Sequence, residues 1–194
     1  MAKPVPDFVT VVSGLPRSGT SLMMQMLHAG GLPALADGQR AADENNPRGY
    51  LEYEPVKRLR SDSSWLPQAR GHVVKIIHLL LRDLRVDGSL HYRIVFMQRP
   101  LDEVLASQRA MLARDGKAGA DAAVLKKAFE AQLAQVDAWL AAQPCVRVLR
   151  QPYHEVLRDP QAVAAKLGAF LERELDTAAM VRAVDPALHR QRAG

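Results

Sequence analysis

The sequence predicts one α/β domain of three layers, with a mainly parallel sheet, spanning residues 1–194. Three observations carry this. Short apolar segments alternate with amphipathic ones along the chain, which is the order of strand–helix–strand units. The apolar segments are continuous rather than alternating in polarity, as in strands covered on both faces. A turn bounded by Gly14 and Gly19 separates the first apolar run from the first amphipathic one. At 194 residues and 21.4 kDa the chain is long enough to bury one sizeable core.

The elements follow in order. FVTVVS, residues 8–13, reads as a buried strand, and residues 20–29 as the helix after it. Gly30-Gly31 ends that helix with a left-handed cap. Residues 37–53 are polar and turn-rich and read as an exposed loop, followed by a short helix from Glu54 to Arg60. VVKII (73–77) and RIVFM (93–97) supply the second and third strands. After the third, Pro100 suits the first helical position, and Asp102 and Glu103 suit the first-turn dipole. Leu125, Phe129, Leu133, Val136 and Leu140 recur at helical spacing within a long helix over 121–142. CVRVL (145–149) is the fourth strand, with helices at 160–172 and 176–184 behind it. Trp65, Trp139 and Cys145 are expected to pack, not to react.

Composition narrows the function classes. Hydrophobic residues make up 48% and charged residues 24%, ordinary values for a globular domain. No apolar run reaches the roughly 18–20 residues needed to span a bilayer, and MAKPVPDF lacks a secretory core, so a cytoplasmic location is expected. One cysteine excludes an internal disulfide framework and a cysteine metal cluster. The net charge is +5, and 19 of the 26 cations are arginines, whose forked donors suit phosphate and sulfate. Basic residues form no block and aromatics are 5%, so a nucleic-acid surface is not expected.

Gly14-Leu-Pro-Arg-Ser-Gly-Thr-Ser21 has the glycine spacing of a Walker A loop, with Thr20 where the lysine would stand. Glycines let backbone N–H groups converge on an anion, and the following helix adds its positive end. Arg17 adds a charge, and Ser18, Thr20 and Ser21 add hydroxyl donors. Metal-assisted phosphoryl transfer also wants a carboxylate at the end of another strand. The residues there are His78, Gln98-Arg99 and Arg150-Gln151, and none is acidic, so no metal is expected. Arg99 follows the third strand, where ligands bind in open α/β sheets, and Ser107 comes eight residues later in the next helix.

GLPRSGTS and RIVFMQRPLDEVLASQ, in this order, resemble the 5′-phosphosulfate loop and the 3′-phosphate segment of sulfotransferases that use 3′-phosphoadenosine 5′-phosphosulfate. VRVLRQPYHEVLRDPQAVAAKLGAFL resembles the late strand of that family and the helix behind it. The resemblance implies a nucleoside-triphosphate-hydrolase-like fold of the sulfotransferase type. It implies that Arg17, Ser18, Gly19, Thr20 and Ser21 hold the 5′-phosphosulfate, and Arg99 and Ser107 the 3′-phosphate. The implied reaction is in-line sulfuryl transfer to a hydroxyl or amine of a small-molecule or carbohydrate acceptor, with Arg17 stabilising the leaving phosphate.

Two departures stand out. The family's basic, glycine-rich closing segment is missing, and the tail supplies only Arg190 and Arg192. Many members carry a lysine and a histidine two residues apart after the second strand, whereas Lys75 and His78 are three apart. Glu52 and His78 therefore stand level as the catalytic base, with Glu54 behind and Lys75 as an assistant to the transferring group. Two other functions stay open: a kinase-like phosphotransferase with an unusual loop, and a non-catalytic nucleotide-binding relative.

Overall fold

The computed structural model describes residues 7–39, 49–116 and 119–185. Four strands form one parallel sheet: β1 (Phe8–Gly14), β2 (Val73–Lys75), β3 (His91–Gln98) and β4 (Val146–Pro152). Their order is β2-β1-β3-β4, with Val12 opposite Lys75 on one side and Val95 on the other. Among the described residues six α-helices flank the sheet: α1 (Thr20–Ala29), α2 (Leu101–Arg114), α3 (Ala122–Ala141), α4 (Tyr153–Arg158), α5 (Pro160–Leu171) and α6 (Thr177–Ala183). The expected α/β fold with a parallel sheet is what the chain adopts.

Side chains alternate across a strand, so each strand feeds two cores. Val12, Val95 and Met97 pack with Met23, Met24 and Leu27 of α1 and with Val163 and Leu167 of α5. Val11, Ile94 and Phe96 face the other way, onto Val136 and Leu140 of α3. Leu15, just past β1, joins Val104 and Leu105 of α2 and Phe129 of α3. Burial of each such side chain contributes about 1.5–3 kcal/mol. Helices α1 and α2 thus lie on opposite faces, and the chain's winding reverses between β1 and β3. That reversal opens a crevice at the carboxyl edge of the sheet.

Local chemistry accounts for most boundaries. Side chains of Asp121, Asp159 and Asp176 accept from backbone N–H groups at the starts of α3, α5 and α6. Helix α1 ends in a Schellman arrangement, with Leu32 N–H bonded to Leu27 O and Gly31 N–H to His28 O. Gly30 is required there by contact: a Cβ would lie 2.6 Å from Met180 Cγ of α6.

Several boundaries differ from expectation. Strand β2 stops at Lys75, two residues early: β1 runs on beside β3 to Gly14, while the chain after Lys75 leaves the sheet and Ile77 caps a 3₁₀ turn, His78–Asp83. Strand β4 runs on to Pro152 because β3 still pairs with it there, so Arg150 and Gln151 lie inside the strand. Pro100 caps α2 from outside, since its extended ψ of 132° precedes the first helical residue. The segment Glu54–Arg58 is 3₁₀, and Leu66–Ala69 and α4 are additional turns. Part of the expected 37–53 loop, residues 117–118, and Arg190 and Arg192 lie outside the described residues. No helix among the described residues is long and apolar enough to cross a membrane.

Candidate functional site

The turn from β1 into α1 is shaped by its glycines. Gly14 has φ 145° and Gly19 has φ 100°, and both approach neighbours too closely for a side chain. A Cβ on Gly14 would sit 2.6 Å from Ser18 Oγ and 2.7 Å from Met97 O. One on Gly19 would sit 2.5 Å from Tyr153 Cδ2. Ser18 is buried and donates through Oγ to Leu15 O at 2.7 Å, closing the turn from within. Helix α1 starts without a side-chain cap, unlike α3, α5 and α6, and its first i→i−4 bond runs from Met23 N to Gly19 O. The N–H groups ahead of Met23 therefore have no acceptor inside the helix. This cradle fits a tetrahedral anion: glycine-lined, at a helix start, with Thr20 and Ser21 beside it.

Arg17 lies in the loop with φ 68°, a left-handed conformation for a residue that has a Cβ. Its Nε donates to Ser107 Oγ of α2 at 3.0 Å. Arg99 Nη1 donates to the Arg17 carbonyl at 3.1 Å. The 5′ and 3′ grips expected from sequence thus meet across the crevice between β1 and β3. Arg99 is nearly buried; its Nε bonds Glu103 Oε2 at 2.9 Å, and its guanidinium stacks 4.6 Å from the Tyr153 ring centroid. His154 bonds the other oxygen of Glu103, Oε1, at 3.0 Å. Burial pushes the Tyr153 hydroxyl upward in pKa, so it stays protonated.

Sequence reasoning missed Glu103, Tyr153 and His154 as parts of this cluster. Glu103 was expected only to favour the helix dipole, the role that its exposed neighbour Asp102 fills while paired with Lys126. The available signal was an acidic residue in the first turn of the helix that follows Arg99, since that turn lies against the strand end carrying the arginine.

On the other side of the loop, Lys75 Nζ donates to Glu52 Oε1 at 2.8 Å and to Ser21 Oγ at 3.2 Å. Lys75 is nearly buried, whereas Glu52 keeps 27% of its side chain exposed. Glu52 is thus within one lysine of the loop. Glu54 lies farther out, paired with Lys57 at 2.7 Å on a 43%-exposed side chain. His78 is only 1% exposed; its Nε2 bonds Gln132 Oε1 of α3 at 2.9 Å, and its ring meets Phe129 edge-on. Burial lowers the His78 pKa, with the Gln132 bond and the Gly14 backbone opposing it. The structure therefore joins Glu52 and Lys75 to the loop and sets His78 among packed groups.

Carboxylates near the strand ends have local partners: Glu155, on α4 just past β4, accepts from Gln151 at 3.1 Å. Among the described residues no three His, Cys, Asp or Glu side chains are grouped to hold a metal. A cavity of about 410 Å³ opens at the opposite, amino edge of the sheet, beside Phe8, Arg93, Cys145 and Arg147. Its buried cation is already matched, since Arg93 pairs with Glu172 at 2.6 Å.

No family profile and no curated protein matches this sequence. Solved structures do match in shape. The sulfotransferase STF9 from Mycobacterium avium aligns at TM-score 0.57 and 14% identity, over 93% of this chain and 67% of that one. The sulfotransferase domain of the curacin biosynthetic pathway aligns at 0.53 and 15%, over 97% and 84%. The sulfotransferase domain of the Synechococcus PCC 7002 olefin synthase aligns at 0.51 and 14%, over 96% and 87%. At such identities the likeness concerns the fold, and the fold is of the sulfotransferase type.

Proposed function

We propose that this protein transfers a sulfuryl group from 3′-phosphoadenosine 5′-phosphosulfate to a hydroxyl or amine of a small-molecule or carbohydrate acceptor. The observation that carries the proposal is the bond between Arg17 of the loop and Ser107 of α2, at 3.0 Å. It brings a cradle for one anion against an arginine–serine pair suited to a second, as a nucleotide with phosphates on both the 5′ and the 3′ position of its ribose would require. The sulfotransferase-type fold agrees with it.

The donor would supply an activated sulfuryl group on its 5′-phosphate. The loop N–H groups, Gly19, Thr20 and Ser21 would hold that end, with Ser18, whose donors go to Leu15 O, shaping the turn from within, and Arg99 and Ser107 would hold the 3′-phosphate. Glu52 is the base we favour, because it alone of the three candidates is joined to the loop through Lys75. It would take the acceptor proton as the acceptor–sulfur bond forms and the sulfur–oxygen bond to phosphate breaks. The electron pair leaves on the phosphate oxygen, where Arg17, Lys75 and the loop amides would stabilise the growing charge. His78, kept neutral by burial, would orient the 3₁₀ turn against α3 and not exchange the proton.

Calorimetry with 3′-phosphoadenosine 5′-phosphate and with Mg·ATP tests the donor. Micromolar binding of the bisphosphate without metal is expected, with ATP far weaker. Tighter, metal-dependent binding of ATP would make the chain kinase-like and overturn the proposal. Binding of the bisphosphate without sulfate transfer to any hydroxyl or amine acceptor would leave a nucleotide-binding module.

A further inference from the structure

Arg99 and Ser107 do more than wait for a 3′-phosphate. Arg17 holds a left-handed backbone, and such a conformation persists in a non-glycine residue only where its surroundings over-determine it. Two of the contacts that do so come from the other grip: Arg99 Nη1 on its carbonyl at 3.1 Å and Ser107 Oγ on its Nε at 3.0 Å. Arg99 is itself fixed by Glu103 and by the face of Tyr153. The same ring lies so close to Gly19 that a Cβ there would be 2.5 Å from it. Glu103 is fixed in turn by His154. The phosphosulfate loop therefore rests on Arg99 and on Ser107 of α2 through the Arg17 carbonyl and the Arg17 side chain, and on Tyr153 of α4 at Gly19.

We propose that Arg99 and Ser107 are positioning residues for the 5′-phosphosulfate loop, so that its grip depends on them even when the ligand has no 3′-phosphate. The proposal rests on the donor assignment above. A serine hydroxyl can accept one hydrogen bond and donate another. Ser107 can thus keep Arg17 on its lone pair while its O–H turns to a 3′-phosphate. Arrival of that phosphate polarises the hydroxyl and tightens its hold on Arg17. The two ends of the donor are then bound in a coupled way through a chain of three groups.

Adenosine 5′-phosphosulfate, which lacks the 3′-phosphate, separates the two roles. It and 3′-phosphoadenosine 5′-phosphate are titrated into the full chain and into Ser107→Ala, Ser107→Thr, Arg17→Lys and the Ser107→Ala/Arg17→Lys double variant. Ser107→Ala is expected to weaken the 5′-only ligand about 3- to 10-fold, the range of one lost hydrogen bond. Ser107→Thr, which keeps the oxygen, restores it. Adding Ser107→Ala to Arg17→Lys costs little more, because Arg17→Lys has already removed the Nε donor. Unchanged affinity of Ser107→Ala for adenosine 5′-phosphosulfate, or strictly additive losses in the double variant, overturns the proposal. Should Ser107→Ala fold poorly, Ser107→Cys, whose sulfur is only a weak acceptor, gives the same comparison, and unchanged affinity there overturns the proposal equally. A native chain that binds neither nucleotide overturns the donor assignment itself, an outcome distinct from a native chain that binds both while Ser107→Ala loses nothing.

Discussion

The two sides of the β1–α1 loop are built differently. On the side of α2, Arg17, Ser18, Arg99, Glu103, Ser107 and Tyr153 are buried or half-buried and bonded to one another or to the loop. On the side of β2, Glu52 keeps 27% of its side chain exposed, and Ile77 and Leu79 flank the buried His78 at 37% and 48% exposure. Preorganised polar groups bind a ligand of fixed shape with little ordering cost. An open rim with exposed apolar groups leaves its partner's shape less determined. The first side suits the donor nucleotide proposed above and the second an acceptor of less determined shape.

That contrast can be broken most directly at Glu52. Glu52→Gln is expected to lower sulfate transfer 10²- to 10⁴-fold, the range of general-base catalysis. It should change bisphosphate affinity by less than about threefold; an equal loss in both would place Glu52 on the donor side and erase the division. The next largest effect lies in the buried cluster. Glu103→Ala leaves Arg99 without its carboxylate, and breaking such a buried pair costs about 3–5 kcal/mol. A fall in Tm of roughly 10 °C follows for a chain of this size. A change below 2 °C would mean that the cluster is not rigid.

Gly19→Ala tests the loop without touching any charge. Strain at φ 100° and the overlap with Tyr153 are expected to weaken the bisphosphate about 10- to 100-fold, corresponding to about 1–3 kcal/mol. Unaltered binding would show that the loop rearranges freely. A smaller effect is read by pH. His78 has a lowered pKa in the folded chain, so the unfolded chain binds the extra proton first as pH falls. Its contribution is complete above the ordinary histidine value and is lost as pH drops through the folded one. His78→Gln should flatten the slope of stability against pH as the pH falls below the ordinary histidine value. An unchanged slope would show His78 to be solvated. The smallest effect is expected at Glu54→Gln, whose exposed pair with Lys57 contributes less than about 1 kcal/mol and whose loss should leave transfer intact.

How much of this was legible in the sequence depended on the distance over which a residue acts. The strands, the β1–α1 turn and α1 follow from local patterns, since Gly14, Gly19 and the apolar runs around them carry their own geometry. The ends of β2 and β4 were not local facts. Lys75 ends its strand because the chain after it leaves the sheet for a 3₁₀ turn, and Pro152 extends its strand because β3 still pairs with it there. The same holds for the site. Arg17 stood out by its place in the glycine-bounded turn, and Arg99 and Ser107 through the resemblance of their segment to that of sulfotransferases, but Glu103 turns inward onto Arg99 and His154. Glu52 and His78 looked equivalent in sequence. Packing separated them, since α3 covers His78 and not Glu52.

The order β2-β1-β3-β4 has a consequence in time. The contacts joining the grips span 82 and 90 residues, from Arg17 to Arg99 and to Ser107. They can form only once β3 has docked beside β1, a pairing that closes a long loop and is slow to nucleate. Donor nucleotide therefore meets no complete site in the early collapsed chain. Added during refolding, it should leave the folding limb of the chevron where it is and depress the unfolding limb, so that the ligand prolongs the life of the native state without hastening its birth.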